Sequence, residues 1–348
     1  MHQHMTALRP VLGAGTGLLL ASGLLAAAAL PATALPAPAL PATTLPAPVP
    51  PASVRAGGHV YVTNQLDNTL SVIDPATDQV TATVPAGTAP EGIALSPDHL
   101  HLYVADSGSA RVSVLGTASN KIIASIPVGK DPTGVALSPD GSHLYVANGG
   151  SDTVSVIDTA TSEVTATIPV GISPVSAAVT SDGTTVYVAN EGSASLSVIS
   201  TRTDRVIRTL PAGAYPVAVA AGPAAGPVYV ANEVNATVSV VSAPAGPITA
   251  TVPTGEGPFG VALAPGGQVA YAAILGPGDV SVISTSTDRI SGTVHVGPPG
   301  TDPFSIAATP GAVYVADQGA NTLTVINPTT LKVTATINVG NSPYGVAG

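Results

Sequence analysis

Beyond residue 57 the chain is a succession of short apolar runs separated by short polar turns, and the succession itself repeats. One full period, Asp131 to Gly171, reads DPTGVALSPDGSHLYVANGGSDTVSVIDTATSEVTATIPVG. Four runs of strand length lie in it: Thr133 to Leu137, Leu144 to Ala147, Thr153 to Ile157 and Glu163 to Ile168. Val, Ile, Thr and Tyr are frequent in these runs, and Gly, Pro, Asn, Asp and Ser bound them, which is the chemistry of strands and turns. Between the first two, SPDG places proline where φ of about −65° is wanted and glycine where φ can be positive. No segment carries an apolar period of about 3.6 residues, so paired-helix repeats are not predicted.

The second run is the fixed point of the period. Tyr145-Val146-Ala147-Asn148 has copies, exact or altered, beginning at Tyr61, Tyr103, Tyr187, Tyr229, Tyr271 and Tyr314, spaced 42 residues apart and 43 at the last step. A period of that length with four antiparallel strands per unit defines propeller blades. The chain is therefore predicted to be all-β, a seven-bladed β-propeller over residues 58–348. Blades pack face to face, which buries both sides of the inner strands and explains continuous runs such as GVAL and YVA. The repeat tyrosines are expected in the core between blades. The closing Asn or Asp of the tetrapeptide is expected to turn onto the amides of the loop that follows it.

Blade 1 has its second, third and fourth strands near the start of the array but lacks a first. Ser342-Pro343-Tyr344-Gly345-Val346-Ala347 matches Asp131-Pro132-Thr133-Gly134-Val135-Ala136 position by position. The C-terminal strand is thus expected to complete the N-terminal blade and remove the open edges.

Ahead of the array, Val11 to Leu30 is apolar throughout, and Ala32-Thr33-Ala34 offers a small-x-small cleavage site. Residues 1–34 read as a signal peptide, with an uncleaved membrane anchor as the alternative. Residues 35–57 form a Pro/Ala-rich linker, a semi-rigid extended spacer. Secretion or attachment at the cell envelope is the expected location.

Composition narrows the partners. With 10 Lys and Arg against 20 Asp and Glu, the chain lacks the basic groups that a phosphate backbone demands, so no nucleic-acid partner is expected. The absence of cysteine removes disulfides, thiolate metal sites and a Cys nucleophile.

Strand order sends two loop sets to one face of the ring, those leading into first strands and those following the tetrapeptides. Most of the acids fall on this upper face, where Arg111 and Lys130 are the bases. Of nine Tyr and two Phe, the four outside the tetrapeptides are Tyr215, Phe259, Phe304 and Tyr344, each beside a proline that leads into a first strand. They belong to blades 5, 6, 7 and 1, consecutive around the ring. With the neighbouring Glu91, Asp131, Glu256 and Asp302 they form the candidate ligand site, an arc at the mouth of the central channel, unless the rings only seal the narrow ends of the blades. Aromatic rings beside carboxylates suit a sugar, a cationic group or a peptide. No cofactor is otherwise expected, although paired carboxylates such as Glu91 and Asp131 could hold Ca²⁺ or act as acid and base. His59, His99, His101, His143 and His295 are placed away from the upper face, which leaves a Ser-His-Asp arrangement there without its base.

YVTN at 61–64, YVAN at 145–148, 187–190 and 229–232, SPDG at 138–141 and TATIPVG at 165–171 together resemble the YVTN-repeat β-propeller family. That resemblance implies a propeller of surface-layer or cell-envelope type, similar also to lactonase-type propellers. YAAI at 271–274 departs from the pattern, as do GPAAG at 222–226 and APGG at 264–267. Two functions follow as expectations. One is an exported, monomeric, non-catalytic scaffold that binds a cell-wall glycan, a small molecule or a protein partner at the channel mouth. The other is a metal-assisted hydrolase or lactonase that uses the upper-face carboxylates.

Overall fold

The computed structural model describes residues 58–348 apart from 223–225 and 245. The expected signal peptide and linker lie outside the described residues. Seven four-stranded antiparallel sheets follow one another along the chain. In blade 3 the strands are Pro132–Leu137, His143–Asn148, Thr153–Asp158 and Glu163–Pro169, each boundary within a residue of the run seen in the sequence.

Burial follows position in the blade. Second and third strands are buried on both faces, whereas fourth strands alternate and carry the outer circumference. The core is correspondingly a set of interblade layers. Tyr145, Val154, Val156 and Ile168 of blade 3, for example, pack on Val186, Val188 and Ile199 of blade 4. All seven repeat tyrosines are buried, Tyr187 and Tyr229 completely. Burial pushes the Tyr145 and Tyr187 hydroxyls up to about 12, so they stay protonated as neutral parts of the core.

The last residue of the tetrapeptide acts differently from expectation. Asn148 donates through Nδ2 to Thr153 Oγ1 at 3.2 Å and Ser155 Oγ at 3.0 Å, both on the adjoining strand. Asn64 repeats this with Thr69 and Ser71, and its Oδ1 accepts the N–H of Gly340, in the loop that leads into the same blade's first strand. The side chain thus staples its own blade together, and the loop that follows it is not its target. The loop that leads into the first strand passes close to this side chain. A Cβ on Gly129 would lie 2.7 Å from the Asn148 side chain, which explains the glycine there.

Every fourth strand bulges near its start, one residue lying outside the pairing, as between Val156 and Ile157 opposite Thr165 in blade 3. In five blades that residue is Thr81, Thr165, Thr249, Ser291 or Thr334, whose hydroxyl donates to a third-strand carbonyl at 3.1–3.3 Å. The bulge is thereby hydrogen-bonded internally.

The ring closes as the sequence indicated. Pro343–Ala347 pairs with Val60–Asn64 through Tyr61↔Ala347 and Val62↔Val346, making the first strand of blade 1. Gln65 N–H donates to the Ser342 carbonyl at 3.0 Å and Gly345 N–H to Thr63 Oγ1 at 2.7 Å.

Candidate functional site

First strands begin at their prolines on the upper face, so the residue after each proline belongs to a ring at the channel mouth. Its members are Glu91, Thr133, Val175, Val217, Phe259, Phe304 and Tyr344. The next residue along each strand is Gly, Ala or Ser because neighbouring first strands converge there: a Cβ on Gly134 would sit 2.7 Å from Ser176 Cα. Ile93, Val135, Val219, Val261, Ile306 and Val346 follow, and the walls enclose a central cavity of about 230 Å³.

Three consecutive blades make one side of that wall aromatic. Phe259 and Phe304 stack with centroids 3.8 Å apart, and Phe304 meets Tyr344 at 4.6 Å with the planes tilted by 57°. All three line the cavity, opposite Thr133, Val175 and Val217. Contacts of this kind hold the three rings side by side along the wall.

Tyr215 stands apart from this cluster. It precedes Pro216, whereas the other three follow their prolines, and it is 49% exposed with a left-handed φ of 55°. The residue before the proline is left-handed in all seven blades, including Asp131 and Asp302, so the chain turns there before the channel wall begins.

The four acids also separate. Glu91 is buried beside the aromatic cluster. Its Oε1 accepts from Gln65 Nε2 at 2.9 Å, and Ser107 and Tyr344 donate to the same carboxylate. Burial pushes the Glu91 carboxyl up, those three donors pull it back, and the charge of Asp131 adds to the rise. Burial and the Glu91 charge hold the Tyr344 phenol well above its ordinary value, so Tyr344 keeps its proton and donates it. Asp131 and Glu256 are exposed on the rim. Asp302 lines a different cavity of about 450 Å³, with Leu66, Asp67, Gln318, Asn321 and Asn341, at the junction of blades 7 and 1. Among the described residues no three Asp, Glu or His side chains form a group able to hold a metal ion.

One histidine is on the upper face after all. Fourth strands end at that face, and His295 closes Arg289–His295; its Nδ1 lies 2.8 Å from Asp279 Oδ1 at the start of the adjoining strand. The pair sits on outer strands, away from the channel wall. Sequence reasoning missed Gln65 and Ser107 as partners of Glu91, and Thr63, whose hydroxyl donates to the Glu91 carbonyl oxygen at 2.7 Å. Thr63 carried a visible mark, being the only Thr where the other six tetrapeptides have Ala.

The fold and this axial site define the class: the chain is a seven-bladed β-propeller protein. A family model described as YNCE-like beta-propeller matches residues 20–141. A curated relative, the PE-PGRS family protein PE_PGRS18 of Mycobacterium tuberculosis (strain ATCC 25618 / H37Rv), is 53% identical over 45 residues, which are 13% of this chain and 10% of that protein. The match therefore spans a tenth of the relative's length. Among solved structures, a functionally unknown protein from Desulfotomaculum acetoxidans DSM 771 is similar at 14% identity, covering 84% of this chain and 98% of its own, with a TM-score of 0.72. Hydrazine synthase of Kuenenia stuttgartiensis shows 20% identity over 74% of this chain and 88% of its own, with a TM-score of 0.68. Virginiamycin B lyase from Staphylococcus aureus shows 15% identity over 74% and 87%, with a TM-score of 0.64. At these identities the likeness is one of fold alone.

Proposed function

We propose that this protein is an exported, non-catalytic binding scaffold of the cell envelope or extracellular space, with its ligand held at the upper mouth of the central channel. The observation that carries this reading is the broken symmetry of the ring at the mouth. A purely structural ring is served by residues like Val175 and Val217, yet three consecutive blades present Phe259, Phe304 and Tyr344 to the cavity. The cavity of about 230 Å³ is smaller than the ~300–1,000 Å³ of sites that engulf a drug-sized ligand. It suits one inserted group, such as a sugar ring at the end of a cell-wall glycan, with Asp131, Glu256 and Tyr215 on the rim beyond it. The apolar segment and Pro/Ala tract ahead of the array support export, and the tetrapeptide's resemblance to envelope propellers supports the location.

Titration calorimetry with peptidoglycan fragments tests the site. Phe259→Val and Phe304→Val copy the residue of blades 4 and 5, so folding should be retained. The double variant should lose at least about tenfold in affinity, or ~1.4 kcal/mol, with its thermal unfolding little changed. Full affinity in that variant would remove the site.

A further inference from the structure

The outer circumference carries a second departure from the repeat. Where five blades close the fourth-strand bulge with a Thr or Ser hydroxyl, blades 2 and 4 have Ile123 and Ile207. These two side chains are 57% and 56% exposed. Each replacement forfeits a hydroxyl-to-carbonyl hydrogen bond and puts an apolar group in water, both unfavourable for the isolated ring.

The same edges collect basic residues from a chain that has only 10 Lys and Arg. Blade 4 places Arg205 and Arg208 on the exposed strand Arg205–Pro211, with Arg202 in the turn before it. Blade 2 places Lys121 and Ile122 beside Ile123, and Arg111 reaches across to Ser125 Oγ at 2.8 Å. Charge on an outer strand is a usual guard against edge-to-edge pairing. A guard alone would keep the Thr of the other blades, since an exposed Ile at the bulge invites the contact that the charge resists. Basic groups flanking an apolar knob on an outermost strand are instead the complement of an extended segment with alternating acidic and apolar side chains.

We propose that the outer edges of blades 2 and 4 are docking edges for an extended acidic segment of a partner protein, which adds as a fifth strand. Its backbone would pair with the outward N–H and C=O groups of Lys121–Pro127 or Arg205–Pro211, its apolar residues would cover Ile123 or Ile207, and its carboxylates would meet the flanking Lys and Arg. The two edges flank blade 3, so a partner with two such segments could engage both.

The probe is a labelled peptide of alternating Glu and Val, with alternating Lys and Val as control, titrated by fluorescence anisotropy at low and high salt. Ile123→Thr and Ile207→Thr restore the residue found in the other blades, and Arg208→Thr removes the central charge of blade 4. The acidic peptide should bind in a salt-sensitive manner, protect the backbone amides of 121–127 and 205–211 from hydrogen exchange, and lose at least tenfold in affinity to the triple variant. The basic peptide should not bind. Equal binding of both peptides, unchanged affinity in the variant, or no binding at all would overturn the proposal. So would self-association of the wild type that the triple variant abolishes, since the occupant would then be a second copy of this chain.

Discussion

At the scale of single residues, the last position of the tetrapeptide shows how one site is tuned seven times. Asn64, Asn148, Asn190 and Asn232 staple their blades with neutral amides. Ile274 abandons the staple, and Ser281, at the position of the stapled serines, donates instead to the Thr254 carbonyl oxygen at 3.3 Å. Asp106 and Asp317 keep the hydrogen bonds to Ser and Thr hydroxyls but bring a carboxyl into the core. For Asp317 burial pushes the carboxyl up to about 6, and Oδ1 has no partner. The folded state therefore binds this proton more tightly than the unfolded chain. The stabilisation is fully present below the ordinary carboxylate value of about 4 and is lost as pH rises through about 6. Asp317→Asn puts the residue of four other blades in its place and removes the ionisation. It should leave stability near pH 4 little changed and raise it by about 1–3 kcal/mol at pH 7.5, flattening the pH dependence. Thermal melts from pH 4 to 8 check this, and equal gains at both ends would show that the charge is not the cause.

At the scale of strands, sequence pattern was nearly sufficient. Each strand in blade 3 was readable because β-branched runs end at Pro, Asn, Asp or Gly, and those breakers act locally. Side-chain destinations were not readable, because they depend on which strand lies alongside. The sequence points the tetrapeptide Asn at the loop that follows, yet pairing sets Thr153 across from it and Ser155 two residues further along the same strand, and both hydroxyls accept from its amide. Thr63 is the clearest case of a role set by strand assembly. In blade 1 the first and second strands come from opposite ends of the chain, and Thr63 Oγ1 accepts Gly345 N–H at 2.7 Å while donating to the Glu91 carbonyl at 2.7 Å. One hydroxyl joins the terminal strand, blade 1 and blade 2. Thr63→Ala would leave a buried N–H unpaired, at a cost of about 1–3 kcal/mol, and Thr63→Ser should recover most of it. Denaturant titration separates the three proteins, and a Thr63→Ala variant as stable as the wild type would mean that the hydroxyl joins nothing of consequence.

At the scale of the ring, register relative to the axis decides what a site residue can do, and only part of it was legible. Phe259, Phe304 and Tyr344 follow their prolines and line the channel, whereas Tyr215 precedes its own and stays on the rim. Adjacency to a proline was visible in the chain; the left-handed turn that separates the two sides of it was not. Closure, by contrast, was legible because it needs only a count of strands. Removing residues 341–348 deletes the strand Pro343–Ala347 and with it the pairing to Val60–Asn64. It uncovers the cluster in which Val346 packs with Val60, Val62 and Ile73. It also takes away Tyr344, leaving buried Glu91 with one donor fewer. No neighbouring blade can supply a substitute strand, and the exposed inner edge becomes a template for intermolecular pairing. The truncated ring should melt at least about 10 °C below the full chain and associate at concentrations where the full chain does not. Adding the 341–348 peptide in trans should restore part of the loss, because the vacant edge is otherwise preformed. An unchanged melting transition after truncation would mean that the ring is held by its interblade layers alone and that the terminal strand is not its clasp.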